Sequence, residues 1–405
     1  MQKKINLKCM KSWGACLFFL FCFSSLQCGN PVVPIKVGAE STAEYFPLLK
    51  GKRIAVFTNH TGRVGDEHLV DFLFRSGFNL VVIFAPEHGF RGDADAGERV
   101  SDSRDLRTGI PVYSLYKDKT GKPGKDIMSQ IDVVLADIQD VGLRFYTYYI
   151  SLYKLMDACA ESQKEMILLD RPNPNGFYVD GPILDMKYRS GVGYLPIPVV
   201  HGMTLGELAL MINGEKWLPD KQTCSLRVIS CKNYTHQTKY SLPVPPSPNL
   251  PNMQSVYLYP SLCLLEGTPL SVGRGTDFPF QVYGSPDMSG CSFSFTPRSV
   301  PGAQYPPYRD KKCYGVDLRN LSDSIIWEGG LHLEYVIDAY NRTPSGRSSS
   351  GANGKFFTSF FRNLIGVDYV DKMIIEGKSA KEIKACWQAD VEKFKIQRKP
   401  YLLYE

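Results

Sequence analysis

Short apolar runs, each closed by a polar cluster, set the rhythm of the first part of the chain. Residues 53–58 (RIAVFT) run into Asn59, His60, Thr61 and Gly62. Residues 80–85 (LVVIFA) run into Pro86, Glu87 and His88, with Arg91 close behind. Residues 131–136 (IDVVLA) end at Asp137, and residues 166–169 end at Asp170 and Arg171. Apolar runs of this kind, bounded by turn signals, predict strands buried on both faces. Amphipathic segments lie between them. Residues 66–76 place Leu69, Val70, Phe72 and Leu73 on a core face, with Asp66 as the expected N-cap and Gly77 as the stop. Residues 147–163 place Leu152, Leu155, Met156 and Cys159 at i, i+3, i+4 and i+7. Strands alternating with helices predict an α/β architecture with a parallel sheet and right-handed crossovers.

The pattern puts polar groups past the carboxyl ends of four strands. Asn59 and His60 follow the first and Glu87 and His88 the second. Asp137, Gln139 and Asp140 follow the third, and Asp170, Arg171 and Asn173 the fourth. In open α/β sheets that edge borders the ligand crevice. A glutamate partly desolvated there has its pKa raised and suits general acid work, so Glu87 is the expected centre of an active site. Its alternative is an ion pair with Arg91 that only pins the loop. Around residue 191 the texture changes. Prolines crowd residues 243–251, and residues 271–295 read as strands and loops. Thr204 with Glu207 and Ser379 with Glu382 form capping boxes that open two helices. The expected organisation is an N-terminal domain over 38–190 and a smaller α+β domain over 191–405. Residues 345–354, rich in Ser and Gly, read as a loop.

Charge and cysteine usage adjust the picture. The formal charge of the whole chain is +6, but Lys3, Lys4, Lys8 and Lys11 precede an apolar run over 13–26. That is the pattern of a secretory signal, with export to the periplasm or cell envelope as its consequence. Removing residues 1–28 takes away four lysines and no acids, which leaves +2. Nucleic-acid binding then loses its main support. Cys28 stands where a lipoprotein would be cut and acylated, although Ser25-Leu26-Gln27 is a poor lipobox. The seven remaining cysteines form no C-x-x-C pair and read as mostly buried thiols; Cys224 and Cys231 are the nearest in sequence. No metal site or cofactor is signalled.

Further constellations carry candidate chemistry. Arg144, Tyr146 and Tyr148 stand where a third strand gives way to a helix. Tyrosines there can stack on a sugar face, and Arg144 can grip a carboxylate, or all three can simply pack. Asp170 and Arg171 can brace each other. His201, before Gly202, could line the crevice, although a lone histidine is more often structural. Glu266 and Arg274 form a second acid and arginine group. Glu207 is explained by its capping box. No G-x-S-x-G, H-E-x-x-H or G-x-G-x-x-G occurs.

These blocks together resemble a known family. PEHGFRGDADAGE (86–98), DIQDVGLRFYTY (137–148), LDRPNPNG (169–176), PNM (251–253), YPSLCLLEGTPLSVGRGT (259–276) and RKPYLLY (398–404) look like the exo-β-N-acetylmuramidases of glycoside hydrolase family 171, formerly a domain of unknown function. The resemblance implies a Rossmann-like N-terminal domain, a C-terminal α/β domain and an active site in the cleft between them. It implies removal of N-acetylmuramic acid from the non-reducing end of peptidoglycan fragments, and it places the family's proposed catalytic glutamate on Glu87. The second catalytic group would be Asp137, Asp140 or Glu266, or the substrate's own acetamido group. The lactyl carboxylate of N-acetylmuramic acid calls for a cation, and Arg91, Arg144 and Arg274 are the candidates. Asn59, His60, His88, Gln139, Tyr146, Tyr148, Arg171, Asn173 and His201 complete the expected substrate-binding set. A non-catalytic exported muropeptide- or sugar-binding protein is the rival reading.

Overall fold

The computed structural model describes residues 33–86, 89–90, 103–115, 120–328, 330–343 and 355–405, and residues 35–405 form one compact unit. Twelve strands are defined among these residues. They are β1 (Ile54–Thr58), β2 (Arg63–Val64), β3 (Glu67–His68), β4 (Leu80–Ala85), β5 (Ser103–Arg104), β6 (Pro111–Ser114), β7 (Val133–Asp137), β8 (Glu165–Leu169), β9 (Ser225–Ile229), β10 (Val282–Ser285), β11 (Phe293–Phe295) and β12 (Cys313–Asp317). The apolar runs fold as buried strands because both their faces are covered. Ile54, Val56, Ile83, Val133 and Leu135 face a core closed by Tyr45, Leu49, Leu69 and Leu73. The alternating Ala55, Phe57, Phe84, Val134 and Ala136 face the opposite core with Leu152, Leu155, Leu208 and Met211. This period of two assigns each residue to one layer of helices or the other.

The main sheet has the order β5-β6-β4-β1-β7-β8-β9. All its pairings are parallel except β5 with β6. Numbered along the chain, the six parallel strands lie in the order 3-2-1-4-5-6, which is that of Rossmann-like sheets. The sheet does not end at residue 190. Its last strand, β9, comes from residues 225–229 and pairs in register with β8. At the sheet's edge β9 is half exposed and carries Arg227, so no apolar run announces it. A smaller antiparallel sheet, β10-β12-β11, follows with the C-terminal helices.

Local signals account for the helices. Both expected capping boxes form, at Thr204 for the helix Leu205–Gly214 and at Ser379 for the helix Ala380–Arg398. The helix expected over 66–76 begins later, at Leu69, with His68 as its cap: the His68 ring accepts from the Val70 N–H. Asp66 is instead the second residue of a two-residue turn, Gly65-Asp66, that joins β2 to β3. The expected loop over 345–354 lies outside the described residues. Five of the seven cysteines are buried, and none is bonded to another among the described residues. No helix among the described residues is long and apolar enough to cross a membrane.

The chain's last residues are fastened back onto the carboxyl end of β8. Asp170, fully buried, accepts from Thr204 Oγ1 at 2.6 Å, from the Tyr404 hydroxyl at 2.7 Å and from the Gly206 N–H at 2.9 Å. Burial pushes this carboxyl up to about 6, against the pull of those donors. Glu207, also fully buried, accepts from the Thr204 and Leu403 N–H groups and pairs with the His236 ring at 3.0 Å. The tail is thus held by hydrogen bonds to carboxylates as well as by packing of Tyr404 on Cys231 and Tyr234. Tyr404→Phe is expected to lower stability at pH 8 by about 1.5–3 kcal/mol, the range for a hydrogen bond to a charged group. Urea unfolding measures it, and a loss below about 0.5 kcal/mol would show that the hydroxyl bond to Asp170 contributes little.

Candidate active site

The strand order reverses between β1 and β7, and a doubly wound sheet opens its crevice at the carboxyl ends of such a pair. Thr58 and Asp137 sit side by side there. Asp137 is buried, and both its oxygens go to Arg171: Nε to Oδ1 at 2.5 Å and Nη2 to Oδ2 at 2.9 Å. Arg171 Nη2 also donates to the Arg63 carbonyl at 2.7 Å, which ties the β2–β3 hairpin to the end of the sheet. Burial pushes the Asp137 carboxyl up and Arg171 pulls it back. At Gly62 a Cβ would collide with Thr58 Oγ1 and the Asp137 carbonyl, so only glycine fits this turn.

A second set of bonds crosses the switch point. Asn59 Oδ1 accepts from the Thr61 N–H and hydroxyl, at 3.0 and 2.6 Å. Thr61 Oγ1 accepts from the Gln139 N–H at 3.0 Å, and Gln139 Nε2 donates to the carbonyls of Asp140 and Pro172. Within this set Asn59 Nδ2 and Asp140 Oδ2 are buried with no partner among the described residues. Asp140 Oδ1 accepts from the Gly142 N–H at 2.7 Å, and burial pushes the carboxyl up to about 7.

The prolines of residues 243–251 cross above this edge. His60 Nε2 lies 2.8 Å from the Pro245 carbonyl. The Tyr146 and Tyr148 hydroxyls both donate to the Pro246 carbonyl, at 2.8 and 3.3 Å, and their rings meet edge to face. Beyond lies a cavity of about 1020 Å³, with Tyr146, Tyr148, Asn249, Tyr259, Glu266 and Arg274 in its wall. Arg274 donates from Nε and Nη2 to Glu266, at 2.6 and 3.2 Å, and lies over the Phe280 ring. Burial alone would lower the Arg274 pKa, but the Glu266 carboxylate beside it raises it beyond its ordinary value. Phe280 and Tyr308, also in the wall, have φ of 56° and 58°. Bulky residues rarely adopt that backbone, and such strain gathers at functional sites.

The expected site residues therefore divide. Tyr146, Tyr148, Glu266 and Arg274 meet in the cavity wall, while Asn59, His60, Asp137, Gln139, Asp140 and Arg171 gather at the switch point. Glu87, His88 and Arg91 lie outside the described residues. Three others are placed elsewhere. Arg144 is fully buried, and its guanidinium donates to the carbonyls of Pro182, Ile197, Leu364 and Ile365, at 2.7 to 3.0 Å. It joins three segments, and its full burial keeps it from a substrate carboxylate. His201 is fully buried, accepts from the Met203 N–H, and is pushed down to about 3 by burial and then by Arg398, so it stays neutral inside the fold. Asn173 spends its amide on the Met203 carbonyl and the Asn175 N–H. Sequence reasoning passed over Asn249, Tyr259 and Tyr308, whose one signal was the density of prolines and aromatic residues around them.

Known proteins resemble this chain over most of its length. The family description "Exo-beta-N-acetylmuramidase NamZ, N-terminal" matches residues 54–254, and its C-terminal counterpart matches residues 257–404. The peptidoglycan beta-N-acetylmuramidase NamZ of Bacillus subtilis (strain 168) is 37% identical, with 89% of each chain covered. A DUF1343 family protein from Bacteroides fragilis NCTC 9343, known from its crystal structure, is 60% identical with a TM-score of 0.85, covering 92% of this chain and 99% of its own. A second DUF1343 family protein from that organism is 30% identical with a TM-score of 0.74, covering 93% and 100%.

The Asp140 environment has a consequence for stability. Its folded pKa, about 7, lies above the ordinary carboxyl value of 3.8, so between these values the folded protein keeps a proton that the unfolded chain has lost. The contribution is full below the unfolded value and is lost as pH rises through about 7. Asp140→Asn keeps an oxygen for Gly142 and carries no charge at any pH. Its melting temperature is expected to match the wild type near pH 4 and to exceed it by a growing margin up to pH 8. A margin that does not change with pH would contradict this placement.

Proposed function

The chain belongs to the NamZ family of exo-β-N-acetylmuramidases, and from that premise we propose that it is an exo-acting glycosidase releasing N-acetylmuramic acid from the non-reducing end of peptidoglycan fragments. The observation that carries this reading for the chain itself is the cavity beyond the proline strap, where tyrosines and one ion pair share a wall. Such a wall suits an amino sugar with a single carboxylate. Rings offer apolar faces to the pyranose, and an arginine meets the acid. Among the candidate cations Arg144 is spent on carbonyls, which leaves Arg274 in the cavity and Arg91 outside the described residues. Two nitrogens of Arg274 face Glu266, and its Nη1 remains to donate to the lactyl carboxylate. An uncharged N-acetylglucosamine would leave that donor unanswered, the basis for choosing between the two sugars.

In the reaction proposed, Glu87 protonates the glycosidic oxygen as the bond to the anomeric carbon breaks, and water supplies the hydroxyl that replaces it. Glu266, held beside Arg274, faces the positive charge that develops on the sugar ring. Asp137 has no oxygen to spare, since Arg171 takes both. Activation of the water falls to a second carboxylate or to the substrate's acetamido group. The basic and apolar start of the chain supports export to the periplasm or envelope, with Cys28 as the position at which a lipid anchor would be attached.

Mass analysis of the products from a muramyl disaccharide, run beside the N-acetylglucosamine-terminated counterpart, tests the reaction. Free N-acetylmuramic acid from the first and none from the second is expected; equal release, or none from either, would contradict it. Glu87→Gln is expected to fold normally and to lose about 100-fold or more in turnover, the usual worth of a general acid. Near-wild-type turnover would remove Glu87 from the mechanism.

A further inference from the structure

We propose that Tyr305 is a stacking platform for the sugar on the reducing side of the scissile bond, forming a second subsite at the mouth of the cavity. This inference rests on the glycosidase reading above. The cavity, at about 1020 Å³, lies at the upper end of the roughly 300–1,000 Å³ that encloses a drug-sized ligand. One amino sugar fills only part of it. An exo-acting enzyme holds the terminal sugar inside, so the next ring has to pass through the opening. Tyr305 belongs to the cavity's lining yet is 82% exposed, so its ring stands at the boundary between cavity and water.

A large aromatic side chain in water is unremarkable on a loose loop, but this loop is tied down on both sides. Gly302, at φ 81°, lies so close to Pro248 that a Cβ would meet it at 2.5 Å. The Gly302 carbonyl accepts from Asn249 Nδ2 at 2.9 Å. Pro306 and Pro307 fix the backbone just after Tyr305. Tyr308 is anchored through its hydroxyl to the Pro269 carbonyl at 2.8 Å, and the Asp310 N–H donates to the Pro297 carbonyl at 2.8 Å. The ring is therefore presented by a backbone whose ordering cost is already met, the arrangement that favours binding. A pyranose suits it chemically. The C–H groups of one sugar face lie against the ring, while the hydroxyls around the edge stay in water with the tyrosine hydroxyl. Arg309, whose guanidinium lies 5.5 Å from the centre of the Tyr305 ring, already has Asp310 at 3.7 Å, so the cation beside the platform calls for no second acid and the expected occupant is a neutral N-acetylhexosamine.

Steady-state kinetics on the muramyl disaccharide, combined with product inhibition by free N-acetylmuramic acid, separates the two subsites. Tyr305→Ala is expected to raise KM for the disaccharide about threefold to tenfold, the range for one aromatic contact, while the inhibition constant of the free sugar moves less than twofold. Tyr305→Phe, which keeps the ring, is expected to recover most of the loss. An unchanged KM in Tyr305→Ala would overturn the platform. A matching rise in the inhibition constant would overturn it too, by placing Tyr305 against the terminal sugar. If the wild type releases no sugar from the disaccharide, the glycosidase reading itself fails.

Discussion

The buried pair of Asp137 and Arg171 is the constraint on which the rest of this molecule depends. Two charges taken out of water must answer each other, since removing either leaves an uncompensated ion in the core. Meeting that demand fixes the end of β7 against the end of β8, and the second donor of Arg171 draws in the β2–β3 hairpin. The strand order places this knot at the point where the sheet reverses direction. From it a chain of contacts runs outward: His60 to the Pro245 carbonyl, then the Pro246 carbonyl to Tyr146 and Tyr148, and from those rings to the cavity. A rigid proline strap thereby carries the order of the sheet's edge into the wall where a ligand would sit.

Polar side chains near this edge fall into two populations. One saturates itself. Asp170 with its three donors, Asp137 with Arg171, and Thr61 between Asn59 and Gln139 all trade water for fixed partners and hold loops in place. The other faces the cavity, where Glu266 and Arg274 pair without being sealed off. The first population gives the second a backbone that does not move, which is what a site for one sugar among similar sugars requires.

Legibility in the sequence followed burial. β4 lies over the residues expected, because its six residues are boxed in by β1 and β6 and by helices on both faces. The capping boxes were legible because the side chain and the backbone N–H that it serves are three residues apart. β9 was not, since an edge strand need not be apolar. The helix start at Leu69 was misplaced because Gly65 and Asp66 serve equally as a turn or as a cap. In the candidate site, acids and arginines were recognisable as a group, but not which of them would be spent on one another. Arg144 looks like a ligand for an acid until Leu364 and Ile365, more than two hundred residues away, supply their carbonyls. Contacts of such span leave no local trace.

The central claim is that the hollow walled by Tyr146, Glu266 and Arg274 receives the terminal amino sugar. A crystal structure of the protein soaked with N-acetylmuramic acid tests it most directly. The account predicts one pyranose in that hollow, its lactyl carboxylate within hydrogen-bond distance of Arg274 and a ring face against a tyrosine. The sugar bound at another place on the protein, with this hollow left to solvent, would contradict it.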